Sequence, residues 1–211
     1  GLYASFRIGL SVIAYNTSLV KAEDAPKSFA DLLDPKWAGK ICKAHPGYSG
    51  TIMTATFQIT RDLGWEYLEK LAKQRIMQLQ SSADPPKKLA LGERAIEADG
   101  NEYNIFQIKE GGGPVEPVYA TEGTPLVVGP NAVFKNAPNP NAARLFQSYC
   151  FSAECQQLIS DVGGQRSIHP QVKEKAGRKP FKEVKTMKED AAGVEKMGDE
   201  IKARYSRIFK V

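Results

Sequence analysis

The sequence has 211 residues, which is long enough for one large domain or two small ones. Its 42% hydrophobic and 25% charged residues exclude a chain that is disordered throughout, and no run approaches the roughly 18 consecutive apolar residues of a membrane span. The net charge of +5 lies entirely in the tail, because residues 171–211 carry 12 of the 29 Lys and Arg but only 7 of the 24 Asp and Glu.

The first half of the sequence predicts strands that alternate with helices. Alternating apolar residues predict an opening strand that ends at Tyr15–Asn16. A loose capping box predicts a short helix over Ser28–Leu33. The elements predicted after it are strands in 40–44, 75–80 and 94–100, and helices over Gly50–Arg61, Trp65–Lys73 and 84–93.

The pattern changes at the three glycines 111–113. Two strand-like pieces follow within 115–134, which is the composition of a crossing between lobes. Helices are then predicted over Asn141–Cys150 and Ser152–Val162. Strands that alternate with helices indicate α/β layers around a mostly parallel sheet.

The basic tail could contact nucleic acid or a membrane surface. However, its acidic residues are interleaved with basic and apolar ones at helical spacing. The apolar positions are Val184, Met187, Val194 and Ile201. The tail therefore predicts an amphipathic helix packed on a domain, without a nucleic-acid partner.

Three cysteines are present, Cys42, Cys150 and Cys155. No CxxC pair and no set of histidines accompanies them, which excludes the usual structural zinc sites. Cys150 and Cys155 could form a disulfide if a helix breaks between them at Ser152, but buried free thiols are the favoured interpretation.

The stretch HPGYSGT, residues 45–51, is a turn that runs into a nearly uncharged helical segment. A helix that begins at Gly50–Thr51 presents unpaired backbone N–H groups and the positive end of its dipole. Ser49 and Thr51 add hydroxyl donors, and glycine allows a ligand to approach the backbone. The turn predicts an anion site, although a capped helix without a ligand would carry the same residues.

A second polar cluster, GNEYNIFQ, follows the predicted strand 94–100. Asn101, Tyr103 and Asn104 lie where α/β sheets usually hold their ligands, at the carboxyl end of a strand. The alternative is that Asn101 only caps the next helix and Tyr103 only packs.

Motifs of common enzymes are missing from the sequence. There are only two histidines, His45 and His169, and no GxGxxG, GxxxxGK[ST] or GxSxG motif. The Ser49–Gly50 pair lacks the frame of a nucleophile elbow, so catalysis by Ser49 is not expected.

The order of these features resembles the periplasmic solute-binding proteins of ABC transporters, in the branch that includes the ferric-iron binders. The pieces that carry the resemblance are GLSVIAYNTSLV, PKSFADLLDPKWAGKI, HPGYSGT, GNEYN, and the segment from EGTPLVVGPNAVF to SAECQQLISDVGG. They extend from about Gly9 to Gly164. Each piece alone is weakly specific, but the ordered set is specific.

The resemblance implies a two-lobed, type II periplasmic-binding-protein-like α/β fold, with mixed, mostly parallel sheets flanked by helices. It implies that residues 1–9 approach the hinge from the first lobe, that 10–113 form the second lobe, and that 114–211 return to the first lobe with C-terminal helices. The hinge is expected near Tyr15–Asn16 and Val118–Tyr119. The family's chains begin with a further part of the first lobe, which the resemblance implies is missing here.

The resemblance also implies a set of ligand-binding residues. The family's anion-holding turn falls on Ser49, Gly50 and Thr51, with Tyr48 beside it. The ferric binders carry an asparagine two residues before two adjacent tyrosines that ligate iron, and these three positions are Asn101, Tyr103 and Asn104 here. An amide is a poor substitute for a phenolate on ferric ion, so Tyr103 is a metal ligand only if iron is bound.

The function implied is that of a periplasmic protein, not an enzyme, that captures a small anionic solute and delivers it to a permease. The solute would be an organic or phosphorus-containing anion, or ferric ion with a synergistic anion. No resident cofactor is expected, and the complete protein is expected to be a monomer.

Two alternatives come from other classes. One is a group-transferring enzyme on the same fold, with Cys42 or Tyr103 in a chemical role, which requires a lowered pKa at Cys42. The other is the sensing domain of a regulator, although no helix-turn-helix is visible in the sequence.

Overall fold

The computed structural model describes residues 4–211. The strands are β1 (Ala4–Asn16), β2 (Ile41–Ala44), β3 (Met77–Leu79), β4 (Ile96–Asn101), β5 (Val115–Val118) and β6 (Leu126–Asn131). The α-helices are α1 (Gly50–Leu63), α2 (Trp65–Ala72), α3 (Asp84–Ala90), α4 (Glu102–Glu110), α5 (Pro140–Cys150), α6 (Ala153–Asp161) and α7 (Ala191–Phe209). Short 3-10 helices cover Ala30–Leu33, Pro35–Trp37, Pro46–Tyr48 and Phe181–Glu183.

The strands form one mixed sheet in the order β3-β2-β4-β1-β5, and β6 also pairs with β1. β2 runs parallel to β3 and β4, whereas β1 runs antiparallel to β4 and β5. The predicted mixed α/β class is confirmed. The long strand β1 reverses the direction at the centre of the sheet.

The chain divides into two compact units. The larger contains Leu10–Val127 and Lys182–Val211, and the smaller contains Val128–Phe181 with the described residues up to Gly9. The chain therefore passes from one unit to the other three times: within β1, within β6, and between Phe181 and Lys182. This division differs from the predicted boundary at Gly113. It also differs from the predicted hinge near Tyr15–Asn16 and Val118–Tyr119, because the passages lie at Gly9–Leu10 and Val127–Val128.

The difference from the predicted boundaries has a physical cause in strand pairing and helix packing. β5 pairs with β1 through Ile13 and Val118, which keeps the segment after Gly113 in the larger unit. Helix α7 packs on α1 and α2, where Ile201 joins Met53 and Phe57 in a buried apolar cluster. The C-terminal helix thus belongs to the larger unit and not to the return segment.

The main core of the larger unit lies between the sheet and the helices α1, α2 and α7. Its largest fully buried members include Phe29, Leu32, Ile41, Leu68, Leu71 and Tyr205. Burial of each such side chain stabilises the fold by about 1.5–3 kcal/mol. The rings of Phe29 and Tyr67 meet edge to face at 5.9 Å, the geometry that aromatic pairs prefer.

Turn and cap residues set most helix boundaries as predicted. Gly64, with φ of +78°, separates α1 from α2, a conformation that glycine adopts without strain. Ser152 separates α5 from α6, because its hydroxyl accepts a hydrogen bond from the Cys155 N–H. The thiols of all three cysteines are free, and Cys155 is half-buried where the prediction was a buried thiol.

Helix α7 begins later than the tail pattern predicted. Val184 and Met187 are buried but precede the helix. The backbone there is already hydrogen-bonded to Thr124, which donates to the Lys185 carbonyl at 2.8 Å and accepts from the Met187 N–H at 2.9 Å. Asp190 then caps the helix by accepting from the Gly193 N–H.

The smaller unit joins α5 and α6 to the start of β1. The Ile8 N–H donates to the Arg166 carbonyl at 3.0 Å, and Arg7 donates to the Gln165 side chain. Arg166 is buried and pairs with Glu174 at 2.7 Å. Across residues 4–211, no helix is both long enough and apolar enough to cross a membrane.

Candidate functional site

The carboxyl ends of three parallel strands, β3, β2 and β4, lie at one edge of the sheet. The segments that leave this edge carry the residues predicted to bind a ligand. Two of the segments are tied together at their start, because the His45 N–H after β2 donates to the Leu79 carbonyl at the end of β3, at 2.8 Å. Ligands of α/β proteins bind at such an edge.

Helix α1 begins at this edge with the predicted Ser49–Gly50–Thr51 turn. Ser49 is the N-cap and accepts from the Ile52 N–H at 3.4 Å. Within residues 4–211 the N–H groups of Gly50 and Thr51 have no acceptor, as expected for the first turn of a helix. The first turn carries no acidic residue, and the space beside the Gly50 Cα is open. These donors can receive an anion.

Tyr48 lies beside this turn with 66% of its surface exposed. Its ring faces the His45 ring at 5.4 Å between centroids. A tyrosine this exposed offers both a ring face and a phenol to a ligand.

The second predicted cluster begins where β4 passes into α4. Asn101 is buried, and its amide donates to the Ser82 hydroxyl at 3.0 Å. Asn104 donates to the Ser82 carbonyl at 3.3 Å. Asn101 occupies the N-cap position of α4 without a capping hydrogen bond from its side chain, so the alternative that it only caps the helix is wrong.

Tyr103 lies half-buried in the first turn of α4, next to Asn104. It provides a single phenol at the positions that the ferric binders fill with two. No group of three or more His, Cys, Asp or Glu side chains that could hold a metal ion occurs in the described part of the chain.

A buried ion pair lies beneath this edge. Lys43 of β2 and Asp99 of β4 are both almost fully buried, and the Lys43 Nζ is 2.8 Å from one Asp99 carboxylate oxygen and 3.0 Å from the other. The two charges offset each other. An incoming anion would therefore be held mainly by N–H and hydroxyl donors and not by a free cation.

Cys42 does not meet the requirement of the enzyme alternative. The thiol is fully buried in β2, and its sulfur lies 3.4 Å from the Ile96 carbonyl. Burial raises the pKa of the Cys42 thiol, and the nearby Glu97 carboxyl raises it further. A nucleophilic thiol needs the opposite shift.

Two residues of this edge, Ser82 and His45, were not among the predicted site residues. Ser82 accepts hydrogen bonds from the side-chain amides of Asn101 and Asn104, and it thereby joins the segment after β3 to the start of α4. The signal in the sequence is the position of Ser82, two residues after the predicted strand 75–80. The Ser49 turn and the Asn101 cluster follow the neighbouring parallel strands β2 and β4.

Comparison with known protein families identifies the family to which this sequence is similar. Residues 1–188 match the family of bacterial extracellular solute-binding proteins. The chain belongs to this family. The predicted resemblance is therefore confirmed, and so is the fold class.

The solute-binding chain has relatives among curated proteins and solved structures. It is 28% identical over 165 residues to an uncharacterized protein of Haemophilus influenzae, a match that covers 76% of the chain and 47% of that protein. The chain thus spans about half the length of this curated relative.

Two solved structures share 26% sequence identity with the solute-binding chain. One is the periplasmic binding protein AfuA of Actinobacillus pleuropneumoniae with exogenous fructose 6-phosphate bound, at a TM-score of 0.90 over 100% of this chain and 69% of AfuA. The other is the periplasmic binding protein P5PA, at a TM-score of 0.81 over 99% of this chain and 67% of that protein. Iron-bound HitA of Pseudomonas aeruginosa, at 23% identity and a TM-score of 0.82, shares the fold.

Proposed function

We propose that the chain is the solute-binding component of a bacterial ABC transporter, which captures a phosphate monoester in the periplasm and delivers it to a membrane permease. The observation that carries the proposal is the open first turn of α1 at the carboxyl edge of the sheet. Family membership supports the transport role. The fructose 6-phosphate bound to AfuA supports a phosphorylated solute.

The chemistry of the first turn fits a phosphate group. The N–H groups of Gly50 and Thr51 and the hydroxyl of Thr51 are donors at the positive end of a helix of 14 residues. Hydrogen bonds to a charged group are worth about 1.5–3 kcal/mol each. Ser82, Asn101, Tyr103 and Asn104 supply amide and hydroxyl groups of the kind that bind a neutral polyol.

The same residues weaken the two competing functions. Ferric ion would be a transported solute here, and the cluster offers it one phenol, from Tyr103. An enzyme would need an activated nucleophile, and the pKa of Cys42 is raised. We therefore propose a binding protein without catalytic activity.

Titration calorimetry with fructose 6-phosphate tests the proposal. Ser49→Ala combined with Thr51→Val should weaken binding by about 1–3 kcal/mol, because donors to a charged group are removed. Ser152→Ala is the matched control, since Ser152 caps α6 in the same way that Ser49 caps α1. The control should bind the sugar phosphate as the parent does.

Two results would overturn the proposal. One is the absence of binding of fructose 6-phosphate and of inorganic phosphate by the parent chain. The other is equal affinity in the parent and the double variant. A strong visible absorption band on addition of ferric citrate would instead identify ferric ion as the solute, with Tyr103 as a ligand.

A further inference from the structure

His45 connects the loop that leads to α1 with the C-terminal helix α7. Its Nδ1 atom accepts from the Gly47 N–H at 2.9 Å, and its Nε2 atom lies 3.2 Å from the Ser206 hydroxyl oxygen of α7. Because Nδ1 is an acceptor, the proton of the neutral ring is on Nε2, which donates to Ser206. The His45 side chain thus links its own loop to a residue of α7 that lies 161 positions later in the sequence.

The ring of His45 packs against two tyrosine rings. Tyr205 packs edge-on at 4.9 Å between centroids, and Tyr48 packs at 5.4 Å. A Cβ atom added to Gly47 would lie only 2.9 Å from the His45 Nδ1. The close approach of ring and backbone therefore requires glycine at this position.

We propose that His45 is a positioning residue that, as a neutral imidazole, fastens residues 45–49 to α7 and thereby holds the first turn of α1 in the geometry that receives the anion. Protonation of the ring releases the turn. This inference rests on the proposed function of that turn and adds a pH-dependent control of solute affinity.

Protonation breaks the connection at a specific atom. A proton added to Nδ1 faces the Gly47 N–H, so an attractive contact becomes a contact between two donors. The Ser206 hydroxyl can still accept from Nε2, so the bond to α7 survives. The bond that is lost is the one that shapes the loop before Ser49.

The charged groups near His45 come from β2, β4 and α7. Lys43 lies on β2 and pairs with Asp99 of β4. From α7 comes Lys202, which passes beside Gly47 and pairs with Asp199 at 3.2 Å. The neighbouring rings, Tyr48 and Tyr205, are uncharged. Burial lowers the pKa of His45, and Lys43 lowers it further.

The direction of the pH effect follows from this shift. The folded-state pKa of His45 lies below its ordinary value of about 6.5, so the neutral form predominates at and above that pH. The connection is lost as the pH falls through the folded-state pKa. Solute affinity is therefore high near neutral pH and falls in acid.

The first test measures the affinity for fructose 6-phosphate at several pH values in the parent and in His45→Asn. Asparagine can accept from the Gly47 N–H but neither titrates nor reaches Ser206, so the variant breaks the connection at its α7 end. Protonation of the parent breaks the same connection at its Gly47 end, and either break separates the loop from α7. Because the phosphate itself titrates near about pH 6, the quantity compared is the ratio of the two dissociation constants at each pH. We expect the variant to bind about tenfold more weakly near neutral pH, the effect of one lost hydrogen bond, and the ratio to approach one in acid.

Two further variants sharpen this test. Ser206→Ala removes only the α7 end of the connection and should reproduce the loss near neutral pH. His169→Asn is the matched control, because the His169 Nδ1 also accepts from an N–H two residues on, that of Gln171, at 3.2 Å. Its ratio to the parent should stay near one at every pH. A ratio for His45→Asn that does not change with pH would overturn the proposal.

The second test needs no solute. Nuclear magnetic resonance of the solute-free protein should show the His45 proton on Nε2 near neutral pH, and hydrogen exchange at the Gly47 amide that accelerates as His45 titrates. A proton on Nδ1, or exchange at Gly47 that does not follow the His45 titration, would overturn the proposed connection. If no phosphate compound binds at any pH, the proposed function fails, and the Gly47 exchange alone decides whether His45 fastens the loop.

Discussion

At the scale of single residues, Glu97 of β4 departs most from what a buried position normally holds. Its side chain is fully buried, and among residues 4–211 neither carboxyl oxygen has a hydrogen-bond partner. The carboxyl lies against the backbone of Gly100, where an added Cβ would collide with it. Glycine at position 100 therefore leaves the space that the Glu97 carboxyl occupies.

Desolvation raises the pKa of Glu97 well above its usual range, and Asp99 raises it further, while Lys43 acts in the opposite direction. In the folded state the carboxyl keeps its proton at pH values where the unfolded chain releases it. Its contribution to stability is therefore complete below the ordinary glutamate pKa of about 4.3 and declines as the pH rises toward the folded-state value.

Glu97→Gln should remove this decline, because the amide does not titrate. We expect urea unfolding to show similar stability of variant and parent near about pH 4, and a gap in favour of the variant that grows by about 1.4 kcal/mol per pH unit above it. Glu66→Gln is the control, since the Glu66 side chain is 82% exposed. A constant difference between Glu97→Gln and parent across this range would contradict the assignment.

At the scale of secondary-structure elements, the ion pair between Lys43 and Asp99 joins β2 to β4 beneath the candidate site. A buried pair is not a strong source of net stability, but removal of one partner leaves a buried charge uncompensated. Asp99→Asn should therefore lower the free energy of unfolding by about 3–5 kcal/mol.

The matched variant for Asp99→Asn is the double change Lys43→Met with Asp99→Leu, which removes both charges. It should be much less destabilised than Asp99→Asn, because no charge remains buried. Chemical unfolding of both variants measures the difference. Equal loss in the two would show that packing, and not the unpaired charge, sets the cost.

Elements that depend on local signals were predicted well from the sequence. Gly64 and Ser152 divide helix pairs through their own backbone and hydroxyl, so their effect can be read within a few residues. The sequence does not predict the start of α7, because that start depends on a β-bridge between Thr124 and Thr186, next to which the Met187 N–H donates to the Thr124 carbonyl.

The residues of the candidate site also differ in whether the sequence alone can predict their roles. The Ser49–Gly50–Thr51 helix start is local and was predicted, whereas the roles of Ser82 and Ser206 depend on tertiary contacts. The Asn101 amide was expected to cap α4 or contact a ligand, and its bond to Ser82 was visible only once β3 and β4 were placed on either side of β2.

At the scale of the whole molecule, helix α5 exposes an apolar face. Leu145, Phe146 and Tyr149, with Ala142, repeat at helical spacing and form what we call the α5 face. Leu145 is 74% exposed and Phe146 is 66% exposed. Contiguous exposed apolar residues are typical of surfaces that bind another protein.

We expect the 211-residue chain to self-associate through the α5 face, and Leu145→Lys combined with Phe146→Glu to abolish that association. Burial of each large side chain is worth about 1.5–3 kcal/mol, so the loss of two should weaken the association constant by at least about a hundredfold. Leu91→Lys is the control, because Leu91 is an exposed apolar residue of similar accessibility, 72%, that lies at the end of α3 in the other unit. Sedimentation velocity over a range of protein concentrations measures all three. Since the α5 face and the candidate site lie in different units, the Leu145→Lys, Phe146→Glu variant should keep its affinity for fructose 6-phosphate. Two outcomes would show that the α5 face does not drive association. One is a parent chain that stays monomeric at every concentration, and the other is a Leu91→Lys variant that dissociates as much as the charged variant does.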